Sequence, residues 1–385
     1  MNIPCKTNTV KSLLLKNWLP FLQSFRKEIK LVKSSIAEPI CTMDSNPLTE
    51  VGSLQKRPYT MNIFCYQECS VQYEIAFHND TSSEYIWYSV SIRFEPCPVL
   101  ERFSLTTKVR QDVYLEITLV RKLPSSASFR LAEAIDSIHT EPVSFNAGDE
   151  ARIAVRYFPL FIENERICTL KIHSPELGEF VYSLILSANE PLSEEAVTIT
   201  TEIGSSVRLS LPVMNHSNET CNFSYKNSHP YFKCEKDVVA KPGQKVHLQL
   251  EFEPECIGKI KTQLEVSSKS AGIFRFPVTA YCTKPAPKGP LFISSNKNTL
   301  VLVKNVFGSR QAFTWTIDNE NFIVRTSKQN IKPSEHLELA IGLKIQNEQT
   351  VKNIHPQIPI TGKLVISCEE LGIDWIFYLR NGNEE

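Results

Sequence analysis

The sequence predicts an all-β chain of tandem β-sandwiches, with a short helical or disordered N-terminal segment. Two observations carry this prediction: strands of unbroken two-residue alternation recur along the chain, and the landmarks around them recur at a constant interval. A period of two buries one face of a sheet and leaves the other in water, as each half of a two-sheet sandwich requires. Such repeats indicate an array of binding modules rather than one catalytic body.

Three segments carry the alternation, and each follows a turn. They are 151–159 after Ala147-Gly148, 246–254 after Pro242-Gly243, and 337–343 after Pro333-Ser334. The first two end in an aromatic residue, any residue and proline, and Pro159 and Pro254 lie 95 residues apart. An immunoglobulin-like sandwich has about 100 residues. We therefore predict one such sandwich per repeat.

A hairpin recurs in the same three copies, with glycine eight residues after leucine each time. The pairs are Leu170 and Gly178, Leu264 and Gly272, and Leu364 and Gly372. An earlier fragment, 73–88, resembles this hairpin without recognisable upstream strands, so we expect the chain to begin inside a domain. The predicted domains are 1–58 (N-terminal helix and linker), 59–98 (partial or degenerate sandwich), 99–191 and 192–286 (immunoglobulin-like sandwiches), and 290–385 (divergent sandwich).

The N-terminal segment predicts a basic amphipathic helix. Trp18, Leu22, Phe25, Ile29 and Val32 recur at steps of four and three, as on one helical face. The basic residues on or near the opposite face are Arg26, Lys27, Lys30 and Lys33. The functional interpretation is docking to calmodulin or to a groove on a partner, and the alternative is a helix that packs on its own first sandwich or frays. Residues 34–58 are rich in Ser, Pro, Thr and Asn and predict a linker.

Length and charge limit the class of partner. The 385 residues leave room for about two to four domains with separate cores. Lys and Arg total 42 and balance 42 Asp and Glu, so nothing favours a nucleic-acid backbone or an anionic membrane. We expect protein partners, no nucleic acid and no membrane span, because no stretch reaches the ~18 apolar residues of a membrane helix.

The cysteines indicate reduced thiols in a cytosolic protein. Their number is 11, no Cys-x-x-Cys occurs, and Cys221 and Cys282 have antibody-like separation without an intervening tryptophan. Cys65 and Cys69 are spaced as metal ligands, but no suitable second pair follows, so buried strand cysteines are the favoured interpretation. The Asn-x-Ser/Thr sequons matter only in a secretory compartment, and no signal peptide is recognisable. They lie at Asn79, Asn215, Asn218 and Asn222.

No catalytic motif is present. The sequence has no Gly-x-Ser-x-Gly elbow, phosphate loop or His-Glu-x-x-His. His216, His229, His247 and His336 fall in loops or at outward positions, where solvated side chains are expected. The loop 215–220 between two strands is interpreted as a solvated turn, although such loops often carry contacts. We predict no catalytic residue, no cofactor, no metal site and no enzyme activity.

The repeat resembles the hydin-type immunoglobulin-like domain of ciliary and centrosomal proteins, which is related to the major sperm protein domain. The middle copy matches at Asn215, Pro242, Gly243, Phe252, Pro254, Gly272, Phe274 and Ala280, and the preceding copy at Gly148, Tyr157, Pro159, Gly178 and Phe180. The resemblance covers Val99 to Glu385. The last copy departs from the pattern, with Ser334 in place of glycine and a longer insertion from Gln346 to Pro359.

This resemblance implies a non-enzymatic structural and interaction protein of motile cilia and sperm flagella. Its expected place is the cytoplasm, within the cytoskeleton of the axoneme, where it would bind axonemal or other cytoskeletal proteins and support cilium assembly and motility. Two further classes stay open: an extracellular adhesion or receptor fragment, and a membrane-contact adaptor like the major sperm protein group. The adaptor class needs a basic face, and the candidate lysines around one turn are interrupted by Glu235 and Asp237. They are Lys233, Lys236, Lys241 and Lys245.

Overall fold

The computed structural model describes residues 1–226, 229–234, 236–294, 298–344 and 359–382. The chain divides into two compact units, Met1–Glu190 and Pro191–Glu385. The predicted all-β class is confirmed, because the described residues form strands and one 3-10 turn, Glu369–Leu371. Among these residues, no helix has the length and apolar composition needed to cross a membrane.

Each unit contains two sandwiches of eight strands. The first has β1 (Asn2–Pro4), β2 (Thr9–Lys16), β3 (Gln23–Ser34), β4 (Cys41–Asp44), β5 (Leu48–Val51), β6 (Lys56–Cys65), β7 (Cys69–His78) and β8 (Tyr85–Glu95). The second has β9 (Val99–Lys108), β10 (Val113–Val120), β11 (Ala127–Leu131), β12 (Ile138–His139), β13 (Val143–Phe145), β14 (Ala151–Tyr157), β15 (Glu163–Ser174) and β16 (Gly178–Asn189).

The second unit repeats this count. The third sandwich has β17 (Val197–Glu202), β18 (Val207–Met214), β19 (Cys221–Lys226), β20 (Phe232–Cys234), β21 (Val238–Ala240), β22 (Lys245–Phe252), β23 (Gly258–Ser268) and β24 (Gly272–Thr283). The fourth has β25 (Lys288–Ile293), β26 (Thr299–Lys304), β27 (Gln311–Ile317), β28 (Phe322–Ile323), β29 (Lys328–Ile331), β30 (His336–Leu343), β31 (Thr361–Cys368) and β32 (Ile373–Asn381).

All four sandwiches have the same topology. In the first, a five-stranded sheet in the order β1-β8-β7-β3-β5 accompanies a three-stranded sheet in the order β2-β6-β4. The other three repeat that order when their strands are counted from the start of each sandwich. First and last strands pair in parallel, as in β1 with β8, and the neighbouring hairpins are antiparallel. Equivalent positions can therefore be matched between sandwiches through their backbone pairing.

The alternating strands have the predicted register. In β22, Leu248, Leu250 and Phe252 are buried, whereas His247 and Gln249 are exposed. Each sandwich encloses an apolar core assembled from such inward positions of both sheets.

The prediction of an N-terminal helix is wrong. Residues 23–34 form β3, which pairs with β7 and, at its start, with β5. Phe25 is buried, but Trp18, Leu22 and Val32 are exposed, so the spacing of four and three does not mark one packed face. Strand partners distant in sequence supply the backbone hydrogen bonds, and this tertiary pairing outweighs the helical spacing. With no helix, the proposed docking to calmodulin or a groove has no basis.

The linker interpretation of residues 34–58 is also wrong, because β4 and β5 lie inside it. Together with β1, β2, β3 and β6 they provide the upstream strands that the fragment 73–88 was thought to lack. The inserted residues Gln346 to Ile358 of the last copy lie outside the described residues, as does Glu235.

The turn before each sixth strand adopts a left-handed backbone conformation. Gly148 has φ 88° and Gly243 has φ 69°, a region that glycine enters without a steric penalty. Leu54 at φ 56° and Ser334 at φ 64° occupy the same place in the first and fourth sandwiches. The substitution of serine for glycine therefore preserves the turn at some cost in backbone strain.

Candidate interaction surfaces

A buried asparagine closes the loop after the second strand in three sandwiches. Asn17, Asn215 and Asn305 each have 0% exposure. The Nδ2 of each donates to a carbonyl four residues ahead and to the last carbonyl of the fifth strand, and the Oδ1 accepts the backbone N–H two residues ahead. The bonded partners are Phe21, Val51 and Leu19 for Asn17, Glu219, Ala240 and Ser217 for Asn215, and Ser309, Ile331 and Phe307 for Asn305.

The second sandwich has Leu123 in this position. Its backbone N–H still donates to the carbonyl of Asp149, and its carbonyl still accepts from Gly148. The loop geometry therefore survives without the amide, whereas the other three sandwiches fix it with a satisfied buried polar group. Sequence reasoning treated Asn215 as part of a solvated turn, and the repeated Asn17 and Asn305 were not noticed.

In the first unit, a lysine joins the two sandwiches. The Nζ of Lys6 donates to the carbonyl of Tyr66 at 2.5 Å and to the carbonyl of Leu177, in the second sandwich, at 2.7 Å. The Nε2 of Gln67 donates to the carbonyl of Glu176 at 2.7 Å. Tyr66 also packs against the core of the second sandwich. Burial lowers the pKa of Lys6, and the two carbonyls satisfy its ammonium group.

In the second unit, the join is apolar around one ion pair. Ile203 and Cys282 of the third sandwich belong to the core of the fourth. Glu253 is 9% exposed, and its carboxylate binds Lys233 at 2.9 Å and Lys304 of the fourth sandwich. Burial alone would raise the pKa of Glu253, but the hydrogen bonds and charges of these lysines outweigh it and lower that pKa.

The loop after the second strand of the first sandwich presents apolar side chains to solvent. It is equivalent to the loop of the fourth sandwich that begins with Lys304. Trp18 is 66% exposed, and Phe21, Leu22 and Leu54 are each more than half exposed. The ammonium group of Lys16 lies 3.1 Å from the centroid of the Trp18 ring, which is a cation–π contact. Lys16, Trp18, Phe21 and Leu22 belong to one chain segment. The backbone N–H of Leu54 donates to the carbonyl of Leu19 in that segment.

Three thiols converge at one end of the first sandwich. The Sγ atoms of Cys41, Cys65 and Cys69 all lie within 4.8 Å of one another. The Cys41 and Cys65 sulfurs are 2.7 Å apart, and those of Cys65 and Cys69 are 3.8 Å apart. The sequence drew attention to Cys65 and Cys69, but Cys41 lies 24 residues earlier and joins them only through the pairing of β4 with β6.

The remaining singled-out residues do not form a site. His247 is exposed and contacts the Ser210 hydroxyl at 3.1 Å, and His336 is exposed on β30. Burial lowers the pKa of His229, whose ring packs on Tyr231. Of the candidate lysines, Lys233 pairs with Glu253, and the exposed ones are Lys236, Lys241 and Lys245. Of the sequon residues, Asn79 and Asn215 are buried, and Asn218 and Asn222 are exposed.

These features define a protein of tandem immunoglobulin-like sandwiches, with contacts between the two sandwiches of each unit. The chain is 28% identical over 393 residues to the hydrocephalus-inducing protein of Mus musculus and 28% identical over 389 residues to its Homo sapiens homologue. Each alignment covers 98% of this chain and 7% of the relative. The resemblance to hydin-type domains is thereby confirmed, and the chain spans a small part of the relatives' length.

No family model matches the chain. Among solved structures it is similar to the I-band fragment I67–I69 of titin, at 10% identity and a TM-score of 0.23, covering 74% of this chain and 95% of that one. It is also similar to the human desmocollin-1 ectodomain, at 11% identity and a TM-score of 0.22, covering 99% of this chain and 77% of that one. Likeness at this level carries no weight for function.

Proposed function

We propose that this chain is a non-enzymatic structural scaffold of the cilium, acting through protein–protein contacts of its sandwiches. The observation that carries the proposal is the similarity to hydrocephalus-inducing protein across 98% of the chain. The joined sandwiches support it, because Lys6 in the first unit, and Lys304, Glu253 and an apolar cluster in the second, make contacts between modules. No catalytic, cofactor or metal function enters this proposal.

Within the cilium, we propose the axoneme of motile cilia and sperm flagella as the place of action, near the central apparatus, with roles in assembly and motility. From the tandem layout with degenerate copies, we propose the cilia- and flagella-associated protein 47 branch of hydin-type proteins, in its C-terminal part. The proposed domains are the four sandwiches, so that residues 1–98 act as one module.

Burial of two sequons supports an intracellular place. Asn79 is 5% exposed, and its Oδ1 accepts from Thr81 and Ser82, while Asn215 closes its loop as described. A glycan is attached through Nδ2, so on Asn215 it would remove one of the two Nδ2 hydrogen bonds, and neither buried side chain leaves room for a sugar ring. The membrane-contact class loses support as well, because Lys233 is committed to Glu253.

The test is the location and binding of the full chain. Tagged protein expressed in ciliated cells is expected along axonemes, and purified protein is expected to sediment with detergent-extracted axonemes without added nucleotide. A signal confined to the plasma membrane or the medium, or no sedimentation with axonemes, would contradict the proposal.

A further inference from the structure

Two loops at equivalent positions of their sandwiches make the same backbone hydrogen bond, but a neighbouring sandwich packs against only one of them. We name residues 16–22 with Leu54 the Lys16 loop, and residues 304–309 with Ser334 the Lys304 loop. Each starts with lysine followed by the buried asparagine described above. The backbone N–H of that asparagine donates to the carbonyl of Gln55 in one and of Glu335 in the other, at 2.9 Å in both cases.

The Lys304 loop is covered by the preceding sandwich of its own unit. Val306 and Phe307 are 8% and 6% exposed and share a core with Ile203 and Cys282. Lys304 meets the buried carboxylate of Glu253. The loop therefore combines an apolar contact with one charge-complementary pair.

The Lys16 loop carries the same elements without cover. Trp18 and Leu22 are exposed apolar side chains of the loop, at 66% and 60% exposure. No ion pair among the described residues involves Lys16, whose ammonium group lies against the Trp18 ring instead. Exposed aromatic and aliphatic side chains clustered beside a cation are typical of an interaction site.

We propose that the Lys16 loop docks on the end of another immunoglobulin-like sandwich, one that presents a carboxylate at the position of Glu253 within an apolar rim. This inference rests on the proposed scaffold function and names the partner class. The Lys304 loop supplies the geometry for the contact, and Lys16 supplies the charge that selects an acidic partner.

The fourth sandwich of a second copy of this chain does not fit. Lys344 occupies the Glu253 position at the end of the fourth sandwich: its N–H donates to Asn321, as the N–H of Glu253 does to Tyr231. Docking of two copies in this way would bring Lys16 against Lys344. Like charges in contact are unfavourable and select against that pairing.

The test uses the full chain with a photoreactive side chain in place of Leu22. The protein is bound to detergent-extracted axonemes, irradiated, and the cross-linked peptides are sequenced by mass spectrometry. We expect the peptides to come from the end of an immunoglobulin-like sandwich with Asp or Glu directly after an alternating strand. Lys16→Glu should lower the cross-link yield at least tenfold, and the control Lys30→Glu, an exposed lysine on β3, should leave it unchanged.

Cross-links to tubulin, to lipid or to a second copy of this chain would overturn the docking proposal, as would equal yields in the two variants. In each of these cases sedimentation of the chain with axonemes would leave the scaffold function standing. Loss of sedimentation in every variant and in the unaltered chain would refute both.

The convergence of Cys41, Cys65 and Cys69 carries a second and independent inference. Cys65 and Cys69 are separated by three residues, within the spacing of thiolate ligand pairs. Cys65 ends β6 and Cys69 begins β7, so the pair joins the two sheets, and Cys41 lies directly across from Cys65 on β4. The three thiols therefore come from three strands and point to one volume.

We propose that these three thiols bind a thiophilic d10 cation, with Zn²⁺ as the representative. Sulfurs around a tetrahedral zinc with bonds of about 2.3 Å lie roughly 3.8 Å apart. The Cys65 to Cys69 separation of 3.8 Å has this value already. Cys41 is half-buried on a short edge strand, so its sulfur can move away from that of Cys65.

Binding replaces three thiol protons, which leave to solvent, with three S–Zn bonds and gives a net charge of −1 on the group. The half-buried Lys6 lies beside the site, because its backbone N–H donates to the carbonyl of Cys65, and its ammonium charge opposes that of the group. Neutral buried thiols are otherwise poor nucleophiles, and burial raises the pKa of Cys69 to about 12.

Zinc binding is measured on the reduced full chain by competition with a chromophoric chelator. We expect one zinc per chain, binding at least tenfold weaker in Cys69→Ser and Cys41→Ser, and unchanged binding in the exposed-cysteine control Cys256→Ser. Cobalt should produce a thiolate charge-transfer band in the unaltered protein that is reduced in the two variants. Equal binding in all variants, or a Cys41–Cys65 disulfide without metal binding after reduction, would overturn the proposal.

Discussion

The Lys16 loop and the Lys304 loop present one backbone design in two environments. Both place a lysine and a buried asparagine before two apolar residues, and both pair with a left-handed turn residue. One pair of apolar residues, Val306 and Phe307, is buried by the preceding sandwich, while Trp18 remains 66% exposed. Loop conformation is therefore set inside each sandwich, and burial is set by what lies against it.

The comparison also separates two kinds of join. The contact in the first unit depends on Lys6 and two carbonyl groups, whereas the contact in the second unit depends on an apolar cluster and Glu253. Hydrogen bonds to a charged donor fix geometry, and burial of apolar area supplies most of the free energy. The Lys16 loop resembles the second kind.

The largest expected effect distinguishes the two loops by burial. Phe307→Ala should lower the free energy of unfolding by about 3 kcal/mol, because a buried aromatic ring is lost and a cavity remains. Trp18→Ala should change it by less than about 0.5 kcal/mol, because the ring is exposed. Hydrogen exchange of the full chain, followed on peptides of β27 and β7 respectively, measures both.

Similar costs for these two substitutions would break the comparison, because they would mean that the Lys16 loop is covered within the chain itself.

A matched pair of substitutions tests the register of β22. Leu250→Ala should cost about 2 to 5 kcal/mol, and Gln249→Ala on the opposite face of β22 should cost little.

The next effect should be equal at the two loops. Asn17→Ala leaves three carbonyls and one N–H without their partner, and Asn305→Ala leaves two carbonyls and one N–H. Each substitution should cost about 2 kcal/mol. Because the hydrogen bonds lie inside each sandwich, cover by a neighbour should not alter this cost. Thermal unfolding of the full chain and local hydrogen exchange should agree on the equality, and a cost at one loop alone would refute a shared design.

A smaller effect concerns pH at the covered loop. The folded-state pKa of Glu253 lies below its unfolded value, so the carboxylate contributes stability above the unfolded pKa and loses it as pH falls through the folded pKa. Glu253→Gln should therefore flatten the acid limb of the stability curve below about pH 4.5, where a free Glu titrates. Urea unfolding of both proteins at several acidic pH values measures the difference, which should vanish well below the folded pKa.

If the two curves stay parallel through that range, Glu253 does not stabilise the folded state as a carboxylate. In that case the contact between Lys304 and Glu253 no longer supports the proposal that Lys16 selects an acidic partner.

Much of the fold could be predicted from the sequence. The strict alternation in β22 gives the inward side chains, and the spacing of Pro159 and Pro254 gives the size of the repeat. The first sandwich was not predicted, because β3 mixes Phe25 and Ile29 with exposed apolar residues and its alternation with a period of two is weak. The interaction surfaces could not be predicted for a different reason: Cys41 joins Cys65 by strand pairing, and Phe307 shares a core with Ile203, about a hundred residues away.

The smallest expected effect is stabilising and equal at the two loops. Leu54 and Ser334 have φ 56° and φ 64°, where side chains with a Cβ are strained by roughly 1 to 2 kcal/mol. Glycine removes this strain but loses about 0.5 to 1 kcal/mol more conformational entropy on folding. Leu54→Gly and Ser334→Gly should therefore each raise the free energy of unfolding by about 0.5 kcal/mol, measured by urea unfolding of the full chain. The reverse change, Gly243→Ala at φ 69°, should lower it by about 0.5 kcal/mol, because open space around that position leaves only the same balance of backbone strain against conformational entropy. Leu54→Gly should in addition weaken the axonemal cross-link at the Lys16 loop, while Ser334→Gly should not, since its loop is already covered; a loss in both would show that the turn, and not the exposed side chain, governs docking.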